Sequence, residues 1–274
     1  MILVFKLVAT PLLIWALTLA TRRYGPGVGG LLMGIPLTSG PISLILAWQF
    51  GPGFAAQAAV GSLVGQVSTG LFCLAYAFCA RSRGPAFCAL VGLIVYVVAT
   101  ILWSGMTWTL WPATVLLATS LWLLLRLFPE AGASGVSRRP PRWELPARMA
   151  TATVFVLALT GVARWLGPEL SGLIAPLPIF ALILAVFTQL GQGPAAAMAL
   201  LAGLLRGSAA FGAFFVTVAL ALPLVPVPLA YGAAALLCVA ASAGMGLWRH
   251  GRARRAARAA AGVAPLLARV GEIP

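Results

Sequence analysis

The stretch that decides the fold is Gly25–Ser43, "GPGVGGLLMGIPLTSGPIS", in which six glycines and three prolines interrupt an otherwise apolar run. Glycine and proline are the poorest helix formers, and a bilayer offers unpaired backbone groups no water. A second stretch, "GPELSGLIAPLPIFA" at 167–181, has the same character. Two breaks of this kind in an apolar chain read as interrupted membrane helices.

Composition supports that setting. Of the 274 residues, 62% are apolar and 8% are charged, against about 25% charged in soluble domains. The apolar segments predict nine helical spans, at 2–20, 27–48, 54–80, 85–103, 108–127, 148–166, 169–190, 194–222 and 228–248. A single helix over 85–127 would be about 65 Å long, roughly twice the hydrocarbon core. "SGMT" at 104–107 therefore reads as a turn between two spans.

The formal charge of +14 is carried by arginines that flank the spans. With nine spans, one side collects Arg22, Arg23, Arg81, Arg83, Arg126, Arg138, Arg139, Arg142, Arg148 and the tail from Arg249 to Arg269, and the other has Lys6 and Arg164. The positive-inside rule then puts the N-terminus outside and the C-terminus in the cytoplasm of a bacterial inner membrane. The linker 129–147 is rich in Pro, Gly, Ser and Arg and reads as a cytoplasmic loop. The basic, Ala-rich tail 249–274 suits anionic lipid. It lacks the interleaved aromatics of a nucleic-acid binder. Cys73, Cys79, Cys88 and Cys238 show no metal-ligand spacing and read as small packing residues.

The two halves resemble each other. "RRYGPGVGGLLMGIP" at 22–36 aligns with "RWLGPELSGLIAPLP" at 164–178 at an offset of 142, which equates Gly25 with Gly167, Pro26 with Pro168, Gly30 with Gly172 and Pro36 with Pro178. Beyond the prolines, Gln49 with Gln189 and Ser68 with Ser208 suggest an offset of 140, which equates Gln66 with Arg206. Equivalent spans are then five apart and run in opposite directions. The expected fold is all-α and polytopic: repeat 1 at 1–104, an extra fifth span at 105–128, the linker, repeat 2 at 148–248 and the tail. Two inverted four-helix repeats joined by one helix are a transporter architecture, with the binding site at paired broken helices near the midplane.

Arg206 lies deep in span 8, with no Asp or Glu in the interior of any span; Glu169 stands at the outer entrance of span 7. A central arginine costs roughly 2.5–3.5 kcal/mol on insertion scales, so it needs a carbonyl, water, a lipid phosphate or an anionic ligand. The expected site lining is Arg206, Gln66, Thr38, Ser39, Pro36, Pro176, Pro178 and Ser208, with Ser43, Ser68, Thr69, Thr188 and Gln189 as further polar groups. No catalytic or metal-binding constellation can be assembled, and no cofactor is implied.

The segment "SGLIAPLPIFALILAVFTQLGQG" at 171–193 resembles the signature region of the GlpM-like family of small bacterial inner-membrane proteins. That resemblance implies a fused, duplicated version of a half-length, roughly four-helix module able to pair head-to-tail. It brings no substrate and no site residue. The expected function is secondary transport of a small organic or anionic solute, with no nucleic-acid partner and the formation of a homo-oligomer left open. The alternative is a non-transporting scaffold or lipid-handling protein, in which Arg206 holds a lipid phosphate.

Overall fold

The structure is a computed structural model and describes residues 2–37, 39–130, 145–151, 153–154 and 178–242. The described residues are all-helical. The helices are α1 (Ile2–Tyr24), α2 (Pro26–Met33), α3 (Ser39–Phe50), α4 (Pro52–Ala80), α5 (Pro85–Ser104), α6 (Leu110–Leu127), α7 (Ile179–Gln192), α8 (Pro194–Ala221) and α9 (Val227–Ser242). Residues 145–151 are helical as well. Most of the linker, the stretch 155–177 and the tail lie outside the described residues.

Among the described helices, α4, α5, α6 and α8 are long and apolar enough to cross a membrane. Their outward faces explain the composition. On α5, Leu90, Ile94 and Ile101 are exposed, while Cys88, Gly92, Tyr96 and Ala99 are buried on the other face. A helix on a water-soluble protein would present polar residues on that outer stripe. Here both stripes are apolar, which is the pattern of a membrane protein. Cys73, Cys88 and Cys238 are buried and Cys79 partly so, in keeping with packing residues.

The turn at 104–107 is present: α5 ends at Ser104 and α6 begins at Leu110. Trp108 Nε1 donates to the Trp103 carbonyl at 3.0 Å, and the two rings meet edge to face. The span expected at 27–48 is two helices, α2 and α3, separated by residues 34–38. Pro36 sits in that gap, where it has no amide hydrogen to continue a helical ladder.

Four helices start on a Gly-Pro pair, with proline in the first turn, where its missing N–H costs nothing. At Gly25, Gly51 and Gly193 the glycine has φ of 89°, a conformation nearly closed to residues with a Cβ. Such a corner ends one helix and starts the next within a single residue: Gly193 N donates back to Gln189 O at 3.0 Å, and Ala197 N donates to Gly193 O at 3.3 Å. Gly51 does the same with Ala47 and Ala55. Gly51-Pro52 and Gly193-Pro194 are 142 residues apart, as are the starts of α5 and α9 at Pro85 and Val227. These helix starts keep the offset of 142 seen around Gly25, whereas α3 and α7, which begin at Ser39 and Ile179, start 140 residues apart.

The core is built on α4 and α8. Among the described helices, the closest approach is that of α2 to α8. A Cβ placed on Gly30 would overlap the Leu200 carbonyl oxygen, one on Gly203 that of Gly27, and one on Gly207 that of Leu31. Gly34 likewise abuts Gly207. This is backbone against backbone, made possible by small residues four apart. The order of these contacts shows that α2 and α8 run in the same direction.

The corner and an open glycine give contrasting expectations. Gly193→Ala should lower stability by about 1–3 kcal/mol, the cost of forcing a Cβ into that backbone region. Gly53→Ala, helical and with nothing within 4 Å of its Cβ position, should be neutral or slightly stabilising. Thermal unfolding of the two purified variants in detergent checks both.

Candidate functional site

Gln66 is the fifteenth residue of the 29-residue α4, and Ser208 is the fifteenth of the 28-residue α8. Both are therefore at mid-helix, and they meet: Gln66 Nε2 donates to Ser208 Oγ at 2.7 Å. Ser208 Oγ in turn donates to its own helix at Leu204 O, 3.0 Å away. Gln66 and Ser208 are 142 residues apart, so at the offset of the helix starts they are counterparts of each other. Gly70 lies one turn beyond Gln66 and faces Leu205, which precedes Ser208. The two helices thus cross in opposite directions, touching at residues 142 apart in the sequence.

The register explains the position of Arg206. Two residues along a helix is a rotation of about 200°, so Arg206 points away from the face that carries Ser208. Arg206 is exposed, whereas its neighbours Leu205, Gly207 and Ser208 are buried. Gln66, matched with Arg206 at the offset of 140, is hydrogen-bonded to Ser208, and Arg206 lies on the exposed side of α8.

The helix break lies beside the same pair. Gly34, at the end of α2, abuts Gly207, the residue before Ser208. Pro36 is buried, and its carbonyl accepts from Gly40 N at 2.9 Å. Ser39 begins α3. Thr38 and Pro176 lie outside the described residues. Pro178 is buried at the start of α7, and its carbonyl accepts from Leu182 N at 2.8 Å. The break, Gln66 and Ser208 therefore share one level of the bundle. Opened backbone at such a depth is tolerated only against protein or a polar cavity.

Two features went unseen in the sequence. Ser43 Oγ and Tyr231 Oη are 2.7 Å apart and tie α3 to α9. Tyr231 also packs edge-on against Phe214 of α8, whose ring lies over Gly40. Tyrosine in a membrane helix near an end resembles an interfacial anchor, and nothing in its sequence position points to Ser43. The second feature is Arg148, read as a span-flanking residue. It is 1% exposed, with Nη2 3.5 Å from Thr188 Oγ1 and the guanidinium over Phe187. Gln189 Nε2 donates to the Arg83 carbonyl at 3.0 Å. These contacts bring Arg83, Arg148 and the end of α7 to one end of the bundle.

A double-mutant cycle tests the central pair. Ser208→Ala leaves a buried amide donor without its acceptor and should cost about 1–3 kcal/mol. Gln66→Leu combined with Ser208→Ala should cost less than the sum of the single changes, with a coupling of at least about 0.5 kcal/mol. Additivity in thermal or denaturant unfolding would mean that the two side chains do not interact.

Set against known proteins, the chain matches no family model, no curated protein and no solved structure.

Proposed function

We propose that the chain is a nine-span secondary transporter of a small polar organic solute in a bacterial inner membrane, built from two inverted four-helix repeats joined by an extra helix, α6. Several observations support the repeat. The corners at Gly51 and Gly193 lie 142 residues apart with the same glycine φ of 89°, and α4 meets its counterpart α8 in the opposite direction through Gln66 and Ser208. Helix direction also supports nine spans. Among the described helices α2 runs with α8 and α4 runs against it, directions that agree with an odd number of spans between α6 and α7. One outward span over 148–166, followed by re-entry, gives that odd number. The GlpM-like resemblance agrees with a half-length module fused to itself.

The observation that carries the transport reading is the placement of the break at 34–38 against Gly207, next to the mid-helix Gln66–Ser208 pair. Interrupted helices at the midplane, between inverted repeats, are where secondary transporters bind their cargo. The groups available are amides, hydroxyls and carbonyls. A neutral or zwitterionic solute suits them better than the anion expected when Arg206 was assigned to the site.

A second reading has one observation in its favour: Arg206 is exposed at the middle of α8, where a lipid phosphate drawn inward could meet it. That reading makes the chain a lipid-handling protein. Purified protein in liposomes separates the two. Saturable uptake from a panel of small amino acids, polyols and carboxylates is expected, reduced at least tenfold by Gln66→Leu in protein that remains monodisperse. Accelerated flipping of labelled phospholipid, lost in Arg206→Gln and accompanied by no solute uptake, would instead establish the lipid reading. A periplasm-dependent phosphatase fused to the C-terminus should be inactive; high activity there would reverse the orientation.

A further inference from the structure

α4 and α5 are joined by residues 81–84 and pack along each other as an antiparallel hairpin. One contact sets their register: a Cβ placed on Gly92 would lie 2.8 Å from the Phe72 ring. A helical turn either way then levels Tyr76 with Cys88 and Ser68 with Tyr96, and Thr100 and Trp103 follow along the same face of α5. At the far end Gln57 Nε2, near the start of α4, donates to the Trp108 carbonyl beyond α5 at 3.3 Å, which agrees with that register.

The polar groups of this interface differ from those around it. Ser62, Thr69 and Thr114 donate their hydroxyls to the carbonyl four residues earlier, a common local use of a hydroxyl in a helix. Ser68 and Thr100 do not. Among the described residues, Ser68 Oγ, Tyr76 Oη, Tyr96 Oη, Thr100 Oγ1 and Trp103 Nε1 are buried with no hydrogen-bond partner. Ser68 and Tyr76 are 0% exposed and Tyr96 is 1% exposed. Gln189 adds a sixth group from α7, which packs against α5. Its Nε2 donates to the Arg83 carbonyl and lies 4.0 Å from Cys88 Sγ, while its Oε1 is buried without a partner. Buried polar groups are costly unless bonded, and internal water is the usual partner where protein supplies none.

We propose that the α4–α5 interface holds buried water in two segments of a proton path, closed between them by the Phe72 ring against Gly92. Ser68, Tyr96, Thr100 and Trp103 hold one segment, and Tyr76 with Gln189 holds the other. Each hydroxyl can donate one hydrogen bond and accept two, so it can take a proton on one side and release its own on the other. The ends have opposite polarity, because Trp103 Nε1 only donates and Gln189 Oε1 only accepts. From Cys88 to Trp103 the face runs about 22 Å, most of the roughly 30 Å hydrocarbon core. A metal cation needs its oxygens gathered in one shell, whereas these are strung along the helices. Phe72 is 0% exposed and stands at the level between Ser68 and Tyr76, where an apolar constriction gates by excluding water.

This inference uses α4, α5 and α7 alone and is read with protons alone, so it fails independently of the repeat and of solute transport. The test is proton entry into liposomes holding the purified full chain and a pH-sensitive dye, driven by a potassium gradient with valinomycin. Phe72→Ala should raise the rate at least tenfold over the parent. Adding Tyr96→Phe to Phe72→Ala should return it to within twofold of the parent. Phe72→Ala protein that is monodisperse and conducts no faster than the parent overturns the path. A high rate that survives Tyr96→Phe means a general leak and equally overturns it. A second readout needs no change at Phe72. Tyr76→Phe and Tyr96→Phe alone should each lower the midpoint of thermal unfolding, because each removes a hydroxyl bonded to water. An unchanged or raised midpoint means that the hydroxyls are dry and overturns the proposal.

Discussion

The contact on which the arrangement depends is the backbone-to-backbone packing of α2 on α8. Gly30, Gly34, Gly203 and Gly207 let two helices approach until a single Cβ on any of them would overlap the other chain. In a bilayer, apolar side chains gain little by leaving lipid for protein, so close packing and internal hydrogen bonds do most of the work of association. Because the contact is parallel and close, it constrains both the direction and the depth of α2. The end of α2 is thereby held against the middle of α8, and the break that follows is held at the same level.

A polar pair at that level follows the same economy. Gln66 and Ser208 satisfy each other at 2.7 Å, and Ser208 also bonds within its own helix. Neither side chain could face lipid at mid-helix without a cost that a mutual hydrogen bond removes. On the proposed repeat, this crossing is approximately self-complementary in the manner of a twofold interface, Gln standing against Ser. On the proposed transport reading, such an interface would let the two halves exchange roles, as rocking-type alternating access requires.

The sequence made some of this legible and hid the rest, for physical reasons. The Gly-Pro pairs, read in the sequence only as breaks and as marks of the repeat, sit at helix starts, because proline removes a donor and glycine accepts the turn at Gly25, Gly51 and Gly193. The break inside 27–48 was readable from Pro36 and the glycines around it. Gln49 with Gln189 and Ser68 with Ser208 point to an offset of 140, which the starts of α3 and α7 keep, while the corners at Gly51 and Gly193 keep 142. Arg206, expected at the site from its depth in the helix, lies on the exposed side of α8. The insertion cost of an arginine demands a polar partner but does not say on which face of the helix it lies. Arg148 was taken for a flanking charge because charge asymmetry reports the side of the membrane and not burial. Tyr231 joined Ser43 across 188 residues, a pairing that no local pattern encodes.

The inverted arrangement is tested most directly by an experimental structure in lipid nanodiscs. Superposing residues 26–104 on 168–246 should require a rotation of about 180° about an axis lying in the membrane plane, passing close to Gln66 and Ser208. An axis along the membrane normal, or halves that do not superpose, would contradict the inverted repeat and with it the assignment of the broken helix to a transport site.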